Sequence, residues 1–599
     1  MSVDRLQGTD GIRRPVALSS DPRVQGLTPQ DAFLRKGLLT QQFVELYVYA
    51  YVAGQKSARE VVVGWDPRDP AGDFTRAAVL GVRKTGATAV VVGICPTPAV
   101  ALYHVWRGTD AAFIVTASHN FRDQNGIKIF RGATPLKLFP EEDRALTARV
   151  LGLDYAKDVA PLEATGGEVE ARDEAIRVFS DFHLDARNSW LAEGETTGDF
   201  PLLVDPANGA LSGVAADVLR ALHGGSVDEI NADTESGDVN RNSGVADLEG
   251  VAEIERGDLR FVEHRTVAAL FERGGSAAVF DGDGDRFYLL THDAESDRVL
   301  VLSGDETAVH QARHRAPPKP DTLYVNTVES DLNAARAAHA MGYVPILTGV
   351  GDKWVLKQAA DAPDRYGIGS EETGHNISRG VVRTRAGEEA FVFLGNGLKS
   401  AVNTLVATRG LAPREAHRPF APGFKRTFYV YYTRKELLFK DSEIMRGVAG
   451  IIQRQCSLEP IVPQPRPEEP DMLYLAVNEA DGAQRAGIFV RNSGTENKTG
   501  VSVRGGMEDS EALVAVGEEA LVFLARAMKD RDHPMALAEL DVLRALDGGA
   551  RPDEALAVPS GVNRERLLLE MAVKEKVIRR CEAGYERTEL GTRMLEALS

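Results

Sequence analysis

Cysteine is nearly missing from this chain. Cys95, Cys456 and Cys581 are the only three in 599 residues, and their spacing is neither paired nor metal-like. That argues against a disulfide framework and against a thiolate metal site. No uninterrupted apolar run approaches the roughly 20 residues of a membrane-spanning helix. No basic-plus-apolar leader precedes the first motif at Gly8, so a cytoplasmic location is expected. Positive charge is in deficit: 70 Lys and Arg stand against 88 Asp and Glu, a formal net charge of −18. Nucleic acid and anionic membranes are poor partners for such a surface. Any attraction for phosphate must therefore be local.

What is present is a set of apolar runs, each ending in a polar cluster. The length exceeds one ordinary core and implies three to five domains. Asp281-Gly282-Asp283-Gly284-Asp285-Arg286 follows the apolar run 277–280. Three alternate carboxylates on a glycine-opened loop can turn toward one hard cation, and the adjacent arginine can hold a phosphate. An EF-hand does not fit, because its sixth loop position is glycine and its twelfth a bidentate glutamate. This chain has Arg286 and His292 there. Magnesium-assisted phosphoryl transfer is one reading, and a turn of solvated aspartates is the plainer one.

Phe113-Ile114-Val115 runs onto Thr116-Ala117-Ser118-His119-Asn120, with Asn125-Gly126-Ile127-Lys128 close behind. Ser118 can act as nucleophile or phosphate carrier, with His119 and Lys128 to stabilise charge or move protons. Alone, this loop reads equally as a turn or cap. Ser370-Glu371-Glu372-Thr373-Gly374-His375 offers carboxylate, hydroxyl and imidazole to a sugar's hydroxyls, or begins a helix with acids in its first turn. Arg491-Asn492-Ser493-Gly494-Thr495-Glu496-Asn497-Lys498 makes a phosphate cradle or a polar hairpin loop. Ligands of open α/β sheets gather at strand carboxyl ends, so four such ends imply one shared cleft.

In the order GTDGIR, TASHN, DGDGDR, EETGH and RNSGTE, these segments resemble the α-D-phosphohexomutase superfamily, from Gly8 to about residue 530. The resemblance implies that Ser118 is the phosphoserine. It implies that Asp281, Asp283 and Asp285 bind Mg2+ together with an oxygen on Ser118. Glu371, Thr373 and His375 would read sugar hydroxyls. Arg491, Ser493, Gly494 and Thr495 would hold the phosphate that is not reacting. Arg13, His119, Lys128 and Arg286 match positions near the transferring group, and Asp352 and Lys353 lie in a loop that resembles one bearing active-site polar residues. The expected reaction interconverts hexose 1- and 6-phosphates through a hexose 1,6-bisphosphate, which is both intermediate and activator. Glucose or mannose phosphate is the expected substrate, with glucosamine phosphate as the alternative.

The expected fold is α/β. It has three related α/β units with mixed sheets and a smaller α+β fourth domain around a central cleft, then a mainly helical C-terminal extension. The boundaries are 1–170 for the phosphoserine loop, 171–303 for the metal loop, 304–414 for the sugar loop and 415–530 for the phosphate-binding loop. Residues 531–599 form the extension, with helical apolar spacing at 537–546 and 564–580, a short turn at 584–591 and a faint likeness to a winged helix. Its balanced charges favour self-association or docking over DNA binding. Gly166-Gly167 reads as a linker, and the Asn-rich stretch within 226–275 is longer than the family needs, with no assignable role.

Departures from the family pattern touch specificity more than reaction class. They are Phe121 after the serine loop, Ser370 before the glutamate, Asn492 in the cradle and Thr499-Gly500 in the strand after it. Two other classes remain open. A phosphatase using Asp281 as nucleophile would leave Ser118 idle. A silent sugar-phosphate sensor would signal through the C-terminal extension.

Overall fold

The computed structural model describes residues 4–55, 57–458, 460–479, 484–493, 497–559 and 562–598. The chain divides into two compact units, Met1–Ser330 with Ala337–Phe420, and Asp331–Arg336 with Ala421–Ser599.

The first unit holds three mixed sheets that repeat one device. In the first sheet the strand Ala111–Val115 lies parallel to Glu60–Trp65 and antiparallel to Gln124–Arg131. In the second, Ser276–Phe280 lies parallel to Leu202–Asp205 and antiparallel to Phe287–Asp293. In the third, Tyr366–Ser370 lies parallel to Leu323–Thr327 and antiparallel to Asn376–Arg383. The first two of these central strands are buried along their whole length, which is why they read as continuous apolar runs. The polar loop of each motif is the connection between the central strand and its returning neighbour. Strand geometry thus delivers Ser118, the three aspartates and Glu371–His375 at carboxyl ends.

Gly166-Gly167 lies in the irregular connection that leads into the edge strand Glu168–Glu170, parallel to Thr88–Ile94. All three residues of that strand are exposed, so no alternating pattern marks it. The 226–275 stretch, longer than the family needs, supplies the edge strands Val227–Glu229 and Glu253–Glu255 and the helix Arg265–Arg273.

The second unit is an antiparallel sheet in the order Phe424–Tyr431, Lys498–Gly505, Gln484–Asn492, Leu473–Asn478, Ile461–Pro463. The helices Glu443–Gln455 and Ser510–Met528 contribute to its core. The C-terminal residues join this same apolar core through Leu540, Leu567, Met571 and Leu590. Lys529 Nζ pairs with the buried Glu539, and Tyr432 Oη donates to Glu570 at 2.7 Å. The helical reading of 564–580 fails beyond Lys574, for Ile578–Cys581 pairs antiparallel with Gly584–Arg587. The expected turn at 584–591 is therefore that second strand running into the helix Glu589–Leu598. Gly584 allows this with φ +118°, and a Cβ there would lie 2.1 Å from the Arg551 carbonyl oxygen. That partner is 33 residues away and invisible to local periodicity. Among the described residues, no helix is long and apolar enough to cross a membrane.

Candidate active site

Ser118 sits at the carboxyl end of Ala111–Val115, wholly buried, with φ 53°. A left-handed serine is strained and needs surroundings that hold it. Its N–H donates to Thr116 Oγ1 at 2.8 Å. Its carbonyl accepts from Arg68 Nη2 at 2.6 Å and from Asn240 Nδ2 at 2.7 Å. Its Oγ donates to Asp281 Oδ2 at 2.6 Å. Two motifs separated by 163 residues are thus in direct contact.

Asp281, Asp283 and Asp285 are buried, and one oxygen from each lies within 4.8 Å of the others. Gly284, at φ 74°, turns the loop so that alternate side chains converge. Lys128 Nζ donates to Asp283 Oδ2 at 2.7 Å and Asp285 Oδ2 at 2.6 Å, and stands 3.1 Å from Asp10 Oδ2. Asp283 Oδ1 is buried with no hydrogen-bond partner among the described residues, an acceptor left over inside the cluster. Three converging carboxylates with a spare buried oxygen suit a hard divalent cation.

The charge pattern follows from burial and neighbours. Burial, with Asp283 and Asp285 alongside, pushes the Asp281 carboxyl up to about 7. Burial opposes charge on Lys128, yet Asp10, Asp283 and Asp285 hold the ammonium well above its ordinary range. Burial likewise works against ionising Asp285, but Lys128 and His375 keep it well below the usual carboxylate value. Burial, then Arg286, Arg13 and other cations, drives His119 far below its ordinary value, so its ring is neutral. His119 Nδ1 has no hydrogen-bond partner among the described residues.

The third loop closes on the same cluster. His375 Nε2 lies 3.1 Å from Asp285 Oδ1, and its Nδ1 stands 3.0 Å from Glu371 Oε2, off the line of a good hydrogen bond. Burial disfavours the imidazolium, but Asp285, Glu371 and Asp352 raise His375 to about 10. Glu371 Oε1 accepts the Gly351 N–H at 3.0 Å. A Cβ at Gly395 would fall 3.2 Å from His375, 3.5 Å from Asp352 and 3.9 Å from Asp285, so a residue without one lets all three approach. Thr373 lies half-buried on the same turn.

Arg13 reaches Asp10 at 3.2 Å, and Arg286 pairs with Glu249 at 2.7 Å while its backbone N–H donates to Asp281. Asp352 enters the cluster through Lys137, whose Nζ lies 2.7 Å from Asp352 Oδ2 and 2.5 Å from Asp10 Oδ1. Lys353 is buried with its Nζ 5.4 Å from the Trp354 ring. On the second unit, Arg491 stands 3.5 Å from Glu469, and the Ser493 carbonyl accepts from Lys435 Nζ at 2.7 Å. Gly494 and Thr495 lie outside the described residues.

Sequence reasoning passed over Asp10, Lys137, Arg68 and Asn240. Asp10 was visible within GTDGIR, and Asp66 with Arg68 directly follows the strand Glu60–Trp65. Asn240 had no local signal. It lies in the stretch with no assigned role, yet its amide donates to the Ser118 and Asn120 carbonyls and accepts the Gly282 N–H at 2.9 Å.

The family model described as phosphoglucomutase/phosphomannomutase, alpha/beta/alpha domain I, matches residues 5–156, and that of domain III matches 296–404. The phosphoglucosamine mutase of Frankia alni is 32% identical over 385 residues, 63% of this chain and 74% of that protein. The phosphoglucosamine mutase of Mycobacterium marinum is 34% identical over 392 residues, 64% of this chain and 77% of that protein. In structure, a phosphoglucomutase/phosphomannomutase family protein from Burkholderia thailandensis aligns with a TM-score of 0.59 at 17% identity, covering 88% of this chain and 98% of that one. At that identity the likeness is one of fold.

Proposed function

Since this chain belongs to the α-D-phosphohexomutase superfamily and is an intramolecular phosphotransferase, we propose that it interconverts the 6- and 1-phosphates of a glucosamine-type hexose through Ser118. The observation that carries the reading is the 2.6 Å contact of Ser118 Oγ with Asp281 inside the carboxylate cluster. Asp281, Asp283 and Asp285 would hold Mg2+, which supplies charge neutralisation at the phosphoryl group when bound.

The remaining chemistry belongs to the side chains. A phosphoryl group on Ser118 carries about −1.5 to −2 charge at neutral pH. Lys128, kept cationic by its carboxylates, and the nearby Arg13 and Arg286 offset that charge. In transfer, the P–Oγ bond breaks as a P–O bond to the sugar hydroxyl forms. The neutral His119, whose Nδ1 has no hydrogen-bond partner among the described residues, takes up the hydroxyl proton as the P–O bond forms, and the imidazolium gives that proton on to the departing Ser118 Oγ, so the serine leaves as its hydroxyl. The bisphosphate then presents its other phosphate, and the reverse steps return a phosphoryl group to Ser118. Positioning and electrostatics do most of this work. Glu371, Thr373 and His375 would orient the sugar. Arg491, Ser493, Gly494 and Thr495 would hold the distal phosphate.

The expectation of a glucose or mannose substrate gives way here to the glucosamine alternative. The relatives at 32% and 34% identity are phosphoglucosamine mutases. His375 also keeps Glu371 below its usual value despite burial, and an ionised carboxylate suits a protonated 2-amino group.

Phosphorus NMR tests the assignment with Mg2+, a trace of hexose 1,6-bisphosphate and separate glucosamine, glucose and mannose 1-phosphates. Glucosamine 6-phosphate should appear fastest, and Ser118→Ala should abolish it. Faster conversion of glucose or mannose would return the substrate to that type. Release of inorganic phosphate that survives Ser118→Ala would favour the phosphatase.

A further inference from the structure

The first unit carries a second polar cleft, of about 520 Å³, that none of the catalytic motifs enters. It opens at the amino ends of the third sheet's parallel strands, where Thr322, Tyr343 and Tyr366 begin or precede them. Glu371 and His375 sit past the carboxyl end of the same Tyr366–Ser370 strand. Four steps along that strand at ~3.3 Å each put about 13 Å between its ends. A small ligand in this cleft would not reach Ser118.

The lining is unusual for a chain of net charge −18. Arg315, Lys319 and Arg379 face the cleft with no carboxylate in ion-pair range among the described residues, and Asp364 is the single acid in the lining. A fourth cation, Arg187, is already held by Asp185 and Glu389. Aromatic rings stand beside the free cations. Arg379 packs 3.5 Å over the Phe391 ring, which is 47% exposed, and Arg315 lies 5.5 Å from the centre of Trp190. Gln311 lines the same cleft at 1% exposure, and its Oε1 has no hydrogen-bond partner among the described residues although its Nε2 donates to Asn376 and Thr404. A buried acceptor without a donor costs about 1–3 kcal/mol unless something supplies one.

We propose that this cleft is a second ligand site, for a nucleoside phosphate. The unpaired cations match the phosphates. The exposed Phe391 ring matches the apolar face of a base, while Trp190, already stacked on His314 at 5.6 Å, backs Arg315, and Gln311 Oε1 accepts an N–H from the base edge. Unlike a bare anion site, this combination recognises both halves of the ligand.

Calorimetric titration of the full chain with ADP, in excess glucose 1,6-bisphosphate to keep the catalytic site filled, tests the proposal. ADP should bind, and pyrophosphate should bind at least about tenfold more weakly, since it lacks the base. The double variant R315A/R379A should lose about tenfold or more in ADP affinity, melt in a single cooperative transition and retain hexose phosphate turnover. No ADP binding at about 1 mM would overturn the site. Undiminished binding by R315A/R379A would place the nucleotide elsewhere, and equal binding of pyrophosphate would remove the base from the proposal. The binding readout is independent of which hexose the enzyme converts.

Discussion

Replacing Arg68 by methionine is expected to cripple turnover although Arg68 lies outside every catalytic motif. Arg68 and Asp66 form an ion pair at 2.8 Å with both side chains fully buried. From that pair, Arg68 donates to the carbonyls of Ser118 at 2.6 Å, Asn120 at 3.1 Å, Phe121 at 3.3 Å and Gln124 at 3.2 Å. Asp66 Oδ2 accepts from Thr116 Oγ1 at 2.5 Å. One guanidinium therefore shapes the whole loop that presents Ser118. The left-handed serine stores on the order of 1–3 kcal/mol of strain, and hydrogen bonds to a charged group contribute about 1.5–3 kcal/mol each. The clamp thus outweighs the strain it opposes. Removing the guanidinium leaves Asp66 buried and unpaired, a loss of roughly 3–5 kcal/mol. Once freed, the serine oxygen need move only about 1 Å for the rate to fall ~10²-fold.

Steady-state kinetics and thermal melting of Arg68→Met read both effects. kcat should fall by about 10²-fold or more, while KM changes less because Glu371 and His375 are on another loop. Arg68→Lys should not rescue, since an ammonium cannot fork across four carbonyls. Asp66→Leu combined with Arg68→Met removes the unpaired carboxylate, so it should recover stability without recovering kcat. A single Arg68→Met variant that melts like the wild type and keeps kcat within about twofold would refute the clamp, because ~0.4 kcal/mol is far below the loss worked out above.

Three further outcomes follow from the same geometry. Asn240→Ala cuts the bridge between the Ser118 and Asp281–Asp285 loops, so kcat should drop about tenfold and the Mg2+ requirement rise; unchanged Mg2+ titration curves would contradict this. Removing divalent cations with a chelator should stop turnover and Mg2+ should restore it, whereas full activity after chelation would overturn the reading of the three aspartates. Burial, aided by Arg315, lowers Lys399 from 10.5 to about 7. The unfolded chain then holds a proton the folded one has shed between those values, so stability is lost as pH falls from 10.5 toward 7. Lys399→Met lifts that penalty but gives up the 3.0 Å bond to the Asn188 carbonyl, so it should raise the melting temperature more at pH 7 than near pH 10, and equal melting differences at both pH values would sink the argument.

The sequence alone determined the chemistry-bearing loops and the strands that carry them. Apolar runs such as 113–115 and 277–280 must be buried, and the Gly-rich polar clusters behind them must lie at strand ends, so local patterning suffices. Local patterning alone could not pair Ser118 with Asp281, which only the family resemblance brought together, because contact across 163 residues depends on how separate sheets pack. Nor could it assign Asn240 or Arg68, whose hydrogen bonds go to backbone carbonyls that carry no sequence signature. Residues 578–580 read as the end of a helix and 584–591 as a turn, and only the antiparallel pairing of Ile578–Cys581 with Gly584–Arg587 made them a hairpin. Residue type limited what each loop could do. Tertiary packing decided which loops meet and which charges survive burial, because electrostatic strength in a dry interior depends on distance and partner and not on order along the chain.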